Sequence, residues 1–107
     1  MFNENKAGQP YTAKWYYPIA SEKGQEQRMT TIPSVFWCAQ ITAEKSSRSF
    51  RDGLQGATYS AVLQTTNVSK LVGIRELGGK ILYDGGLRNI VYSELSVDKR
   101  IYTIAIE

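Results

Sequence analysis

From Ala57 to the C-terminus, apolar and polar residues alternate in short segments separated by tight turn signals. The segments are Ala57–Thr65, Lys80–Asp84, Leu87–Leu95 and Arg100–Ile106. Gly85-Gly86 separates the second segment from the third, and a Ser-Val-Asp-Lys sequence separates the third from the fourth. Alternation with a period of two residues, bounded by such turns, is typical of strands joined in hairpins. This half of the chain therefore predicts a small β-barrel or sandwich.

Two further strands are predicted in the first half of the chain, at Tyr11–Ala20 and Ser34–Glu44. Both alternate, and Pro18 places the first at an edge or near its own end. Asn67–Leu77 fits either a short helix or an extended segment. We therefore predict an all-β fold of five to seven mostly antiparallel strands with long polar loops, which has room for one short helix.

The length of 107 residues is that of one domain. We predict a single β domain over residues 1–107, with residues 1–10 as a loose polar arm and residues 11–107 as the barrel. Two polar stretches, Ser21–Thr31 and Lys45–Gly56, interrupt the strand pattern. The second contains three cations and two glycines, and we expect it to be the most mobile internal segment.

The residues that usually perform catalysis are scarce in this chain. It has no histidine and one cysteine, Cys38, so the commonest general base and metal ligand is missing. We expect Cys38 to be an inert thiol packed in its strand. Gly73–Lys80 superficially resembles a phosphate-binding loop, but Ile81 stands where a metal-binding Ser or Thr is needed. We predict neither an enzyme nor a cofactor site.

The net charge is +3 and the pI about 9.1, which fits work near nucleic acid without requiring it. Lys45, Arg48 and Arg51 recur every three residues beside Phe50. These four residues are either a loop that contacts phosphates or a solvated loop. No apolar run is long enough to span a bilayer, and the N-terminus has no secretory signal pattern. We expect no membrane association.

Aromatic residues of the two early strands suggest an interface. Trp15 and Trp37 are assigned by alternation to the core, whereas Tyr16 and Phe36 fall on the other faces of their strands. A partner that covers the latter two would explain why both faces are apolar. The charged connection adds Glu22, Glu26 and Arg28 to this candidate interface.

The order of these features resembles that of a known family. An aromatic strand and a polar loop precede Phe36–Ile41, where the family shows a Trp-Ala-x-Ile/Val pattern. The chain closes with Ile81–Val91 and the strand Arg100–Ile106. Over about residues 11–107 the chain is similar to the head–tail joining proteins (head-closure, or stopper, proteins) of long-tailed bacteriophages.

This resemblance implies a small barrel or sandwich that assembles into a ring, typically dodecameric, below the portal and its adaptor. The ring closes the channel on packaged double-stranded DNA and offers a docking surface to the tail. A loop between strands often reaches the lumen, and residues 45–56 and 21–31 have suitable lengths. The family places the protein in the virion, after assembly in the bacterial cytoplasm, with no catalytic role.

Two other interpretations remain open. One stays within the virion: a tail-terminator or tail-completion protein. The other belongs to a different class: a monomeric nucleic-acid-binding β-barrel that uses the aromatic residues and the basic loop. The size of the particle in solution distinguishes a ring from a monomer, and salt-dependent DNA binding would favour the nucleic-acid-binding barrel.

Overall fold

The computed structural model describes residues 7–19 and 28–107. Within these residues the protein is an all-β barrel, as predicted. Eight strands are present: β1 Tyr11–Tyr16, β2 Pro18–Ile19, β3 Arg28–Met29, β4 Ser34–Ile41, β5 Ala61–Thr65, β6 Lys80–Tyr83, β7 Gly86–Leu95 and β8 Tyr102–Ile106. Six of them close an antiparallel barrel in the order β1-β4-β5-β8-β7-β6, while β2 and β3 form a separate two-stranded ribbon.

Two long strands, β4 and β7, pair with different neighbours along their lengths. β4 pairs with β1 through Ser34–Cys38 and with β5 through Ala39–Ile41. β7 pairs first with β6 and then with β8, and its register slips between Ile90 and Tyr92. Such a bulge bends a strand and increases its twist, which helps a sheet to close. We call β1, β6 and the adjoining parts of β4 and β7 the first half, and β5, β8 and the remaining parts the second half.

The barrel interior is filled by buried side chains of β1, β4, β5, β6 and β8, against which the partly buried Ile90 and Leu95 of β7 pack. These buried residues include Ala13, Trp15, Phe36, Cys38, Leu63, Ile81, Tyr83, Tyr102, Ile104 and Ile106. The segment between β5 and β6 contributes three more: Val68 and Leu71 from a 3-10 helix (Val68–Leu71), and Ile74 from helix α2 (Ile74–Leu77). The helical alternative for Asn67–Leu77 is therefore correct, and this segment supplies part of the core.

The faces of β4 are the reverse of those predicted. Phe36 and Cys38 are completely buried, whereas Val35 is exposed and Trp37 partly so. The register with β1 explains the difference, since Ala13, which faces inward, lies opposite Phe36. Residues directly opposite on antiparallel strands share a face. The prediction that Phe36 lies at an interface is wrong, and so is the assignment of Trp37 to the core.

The predicted mobile loop at Lys45–Gly56 is a helical cap. A 3-10 helix at Ala43–Lys45 precedes helix α1, Arg48–Leu54. The hydroxyl of Ser47 accepts a hydrogen bond from the amide of Phe50 at 3.1 Å and caps the start of α1. Phe50 and Leu54, four residues apart, lie on one side of the helix and are buried. They pack on the second half of the barrel, so the prediction that Phe50 contacts DNA or a partner is wrong.

Part of the predicted loose arm is attached to the barrel. The Gln9 amide nitrogen donates a hydrogen bond to the Thr66 hydroxyl at 2.8 Å, and the Thr66 amide donates to the Gln9 side-chain oxygen at 2.8 Å. Gln9 is buried as a result. Residues 1–6 lie outside the described part of the chain.

Candidate functional site

The two halves of the barrel differ in what covers their outer faces. Part of the outer face of the second half is covered by α1, whose Phe50 and Leu54 pack on Val62 and Ala105. On the first half, outward-facing residues of four strands remain at the surface. We call this surface the open face and define it by Lys14, Tyr16, Val35, Lys80, Leu82 and Leu87.

One row of the open face crosses all four strands. Val35 lies opposite Lys14, Lys14 opposite Leu82, and Leu82 opposite Leu87. Val35 is 46% exposed and Leu87 56% exposed. Single exposed aliphatic residues are common in soluble proteins. Leu82 and Leu87, however, are direct neighbours, and Val35 lies on the same face beyond Lys14. Grouped apolar residues of this kind mark an interaction surface.

A hollow of about 210 Å³ lies beside this row, with Tyr16, Met29, Lys80, Leu82 and Leu87 around it. Its walls are mainly hydrocarbon, and Lys80, directly opposite Tyr16 on the neighbouring strand, adds a positive charge. The sequence prediction that Tyr16 faces away from the core is confirmed, because the side chain lines this hollow and is partly exposed.

Lys14 and Lys80 give the described part of the open face a positive charge. In the part of the chain that the structure describes, the ion pair within 4.0 Å joins Arg100 and Asp98, at 3.9 Å. Lys14 and Lys80 therefore have no carboxylate partner among the described residues. An apolar row with two free ammonium groups suits a partner that presents apolar groups and a carboxylate.

A second surface feature lies on the other half of the barrel, around Glu94 on β7. Its carboxylate accepts hydrogen bonds from the hydroxyls of Ser49 at 2.9 Å, Tyr92 at 3.1 Å and Ser47 at 3.3 Å. A groove of about 300 Å³ runs past it, lined by Ser47, Ser49, Gln64, Glu94, Ser96, Val97, Ile101 and Thr103. No cation lines this groove, and Glu94 has no ionic partner among the described residues.

The basic residues predicted to form a contact loop have different surroundings. Arg51 donates hydrogen bonds through one guanidinium nitrogen to the carbonyl oxygens of Glu44 at 2.9 Å and Ser46 at 2.8 Å. It thus stabilises the turn that precedes α1. Lys45 and Arg48 are exposed on the cap. The structure therefore leaves two of the three predicted cations free to meet a phosphate.

The remaining predicted interface residues lie in or near the β2–β3 ribbon. Arg28 is exposed on β3, next to Met29, which lines the hollow of the open face. Glu22 and Glu26 lie outside the described residues. The structure therefore brings Met29 of β3, and not Arg28, to the hollow beside Tyr16.

Cys38 is buried inside the barrel, as predicted. Burial raises the pKa of its thiol to about 12, so the thiol is protonated at neutral pH. Within residues 7–19 and 28–107, no three His, Cys, Asp or Glu side chains are grouped so that they could hold a metal ion. The described helices are also too short to cross a bilayer.

The sequence did not indicate Leu82, Leu87 or Glu94 as functional candidates. Alternation places Lys14 and Tyr16 on one face, but it does not say which residues of β6 and β7 lie beside them. That information comes from the strand register, which a single sequence does not contain. The one available signal is the Asp-Gly-Gly turn after β6, which brings Leu82 opposite Leu87.

A scan of the chain against protein-family models finds no match, and a search of curated proteins also finds none.

Proposed function

We propose that this protein is a structural subunit that assembles with copies of itself, as a component of a phage head–tail connector. The subunits form a ring below the portal or its adaptor, close the DNA channel and offer a docking surface to the tail. The particle that contains them is the virion, assembled in the bacterial cytoplasm. The protein has a structural role in this proposal and performs no catalysis.

The open face carries this proposal. Its apolar residues Val35, Leu82 and Leu87 remain at the surface, whereas α1 covers Val62 and Ala105 on the opposite side of the barrel. A domain of this size gains stability when a neighbour covers such a surface. The likeness of the sequence to head–tail joining proteins supplies the particular assembly, and the small closed barrel is compatible with it.

The experiment is sedimentation velocity of the full chain over a wide concentration range, with two variants. Leu87→Asp places a charge beside Leu82, at the β7 end of the row, and should weaken self-association at least tenfold. This corresponds to about 1.4 kcal/mol or more, a usual loss for a residue that contributes strongly to an interface. Val72→Asp is the matched control, since Val72 is a similarly exposed aliphatic residue outside the open face.

Both variants should keep the melting temperature of the wild type because both side chains are largely exposed. A wild-type chain that remains monomeric at the highest concentration, with and without portal protein, would contradict the proposal. Equal weakening by both variants would show that the open face is not the interface.

The monomeric nucleic-acid-binding barrel is a second candidate, favoured by one observation. Lys45 and Arg48 are exposed on the cap of the second half. A monomer that binds DNA with an affinity that falls steeply with salt, and loses it on Lys45→Glu with Arg48→Glu, would support this candidate instead.

A further inference from the structure

We infer that the contact between neighbouring copies is head-to-tail: the open face of one copy covers the Glu94 groove of the next. This inference rests on the proposed self-assembly and adds which surface receives the open face. The occupant of the groove is therefore a second copy of the chain.

The topology places the two surfaces on opposite sides of the barrel. In the order β1-β4-β5-β8-β7-β6, β8 lies three strands away from β1, and β5 lies three strands away from β6. The open face is centred on β1 and β6. The groove contains Gln64 of β5 and Thr103 of β8. A contact between opposite sides joins each copy to two neighbours, and such a chain forms a ring when the rotation from copy to copy closes and an open filament when it does not.

The charges of the two surfaces are complementary. Lys14 and Lys80 on the open face have no carboxylate partner among the described residues, and Glu94 in the groove is held by three neutral hydroxyl donors. An ammonium group that reached this carboxylate would meet an oriented, partly buried acceptor. If two open faces met instead, the lysines of both copies would lie at one interface, and none of the described residues of that face is an acid that could balance them.

The apolar groups of the two surfaces also correspond. Val97 at the edge of the groove is fully exposed, and Ile101 forms part of its wall. These side chains are available to pack against Leu87 and Val35 of the next copy. The groove on the opposite side of an identical molecule therefore offers an aliphatic surface for the apolar residues of the open face and a carboxylate for its lysines.

Cysteine cross-linking of the full chain tests this arrangement. Leu87→Cys and Val97→Cys both replace exposed side chains, so neither should disturb folding. Each variant is oxidised alone and as an equimolar mixture in which one chain carries a size tag. The wild-type chain, whose one thiol is buried, is the control.

A head-to-tail contact predicts that disulfide dimers in the mixture join the two different variants, several-fold in excess of same-variant dimers. A chain that carries both cysteines should give a ladder of covalent multimers. Dominant Leu87→Cys homodimers would show that open faces meet each other; this would overturn the inference and leave self-assembly intact. If the chain sediments as an oligomer but forms no cross-links, the inference is overturned and self-assembly stands. Absence of both cross-links and oligomers would overturn the proposed function as well.

Glu94→Gln gives an independent measurement, because it removes the charge and keeps the size of the side chain. Its one amide oxygen can still accept from the hydroxyls of Ser49 and Tyr92, which share one carboxylate oxygen in Glu94. It should weaken self-association about as much as Lys14→Gln or Lys80→Gln. Glu94→Gln should then be combined with the substitution of the lysine that contacts Glu94. This double variant should self-associate no more weakly than either single variant. Unchanged association of Glu94→Gln would overturn the role of the groove.

Discussion

The indole nitrogen of Trp15 donates a hydrogen bond to the carbonyl oxygen of Gly78 at 2.8 Å, which links β1 to the turn that leads into β6. The next residue, Gly79, has a φ of +108°. A Cβ at this position would overlap the backbone oxygen of Tyr16. The closure of the barrel between β1 and β6 therefore depends on close backbone approach at Gly79.

Gly79→Ala should destabilise the protein by about 2 kcal/mol or more, because strained φ values and core overlap each cost on the order of 1–3 kcal/mol. Urea unfolding of the purified chain measures the change. Gly86→Ala is the control, since a Cβ there meets only the Arg88 side chain at ordinary contact distance. Equal stability of the two variants would contradict a special role for Gly79.

Phe36→Ala should lower the free energy of unfolding by about 3–5 kcal/mol, the usual cost of truncating a fully buried phenylalanine. The neighbouring Val35→Ala should cost less than about 1 kcal/mol because Val35 faces solvent on the open face. Thermal unfolding of both variants provides the comparison. A stable Phe36→Ala chain that fails to assemble would restore the interface role that the sequence suggested for Phe36.

Some features of the fold depend only on residues that are close together in the sequence, and others depend on which strands pair. Strand positions and turns were predictable because alternation, glycine and proline act within a few residues. Which face of β4 points inward was not predictable, because Phe36 and Trp37 are both large and aromatic. Their positions are distinguished only by the pairing with β1, in which Phe36 lies opposite the buried Ala13 and Trp37 opposite Thr12. The burial of Phe50 was not predictable, because α1 has only one pair of apolar residues at helical spacing, Phe50 and Leu54. A helix this short is stable only when it packs on the sheet beneath it.

The amides of α1 should exchange slowly in the free subunit and rapidly after Phe50→Ala. A seven-residue helix is not stable alone in water, and Phe50 is completely buried under it beside the Tyr92 ring at 5.3 Å. Hydrogen exchange followed by mass spectrometry measures this. Arg48→Ala, on the exposed side of the same helix, should keep the protection. Rapid exchange of α1 in the wild type would favour the mobile segment expected from the sequence.

Stability should fall with rising pH between about pH 9 and 12, in part because of Cys38. Burial raises the pKa of the native thiol from 9.0 to about 12. Below pH 9 the thiol is protonated in both states and has no effect. Above it the unfolded chain loses the proton while the native chain keeps it, so unfolding is favoured by up to about 1.4 kcal/mol per pH unit. Cys38→Ala should reduce this slope in alkaline urea titrations, whereas identical slopes would show that the thiol titrates normally.

Gly53→Ala should shift the titration of Tyr92 while changing stability little. A Cβ at Gly53 would overlap the far end of the Tyr92 ring, whose hydroxyl donates a hydrogen bond to Glu94 at 3.1 Å. Burial, and then the bond to Glu94, raise the pKa of Tyr92 above its ordinary value. Displacement of the ring removes both effects, so the pKa should fall.

The cost of moving the ring is offset by the helix propensity of alanine, about 1 kcal/mol better than glycine within a helix. NMR titration of the tyrosine ring signals follows the phenol, and Asp52→Ala, on the same helix and exposed, is the control. Because Tyr92 helps to orient Glu94, Gly53→Ala should also weaken self-association through the groove. An unchanged Tyr92 pKa would mean that the ring keeps its place and that α1 shifts instead.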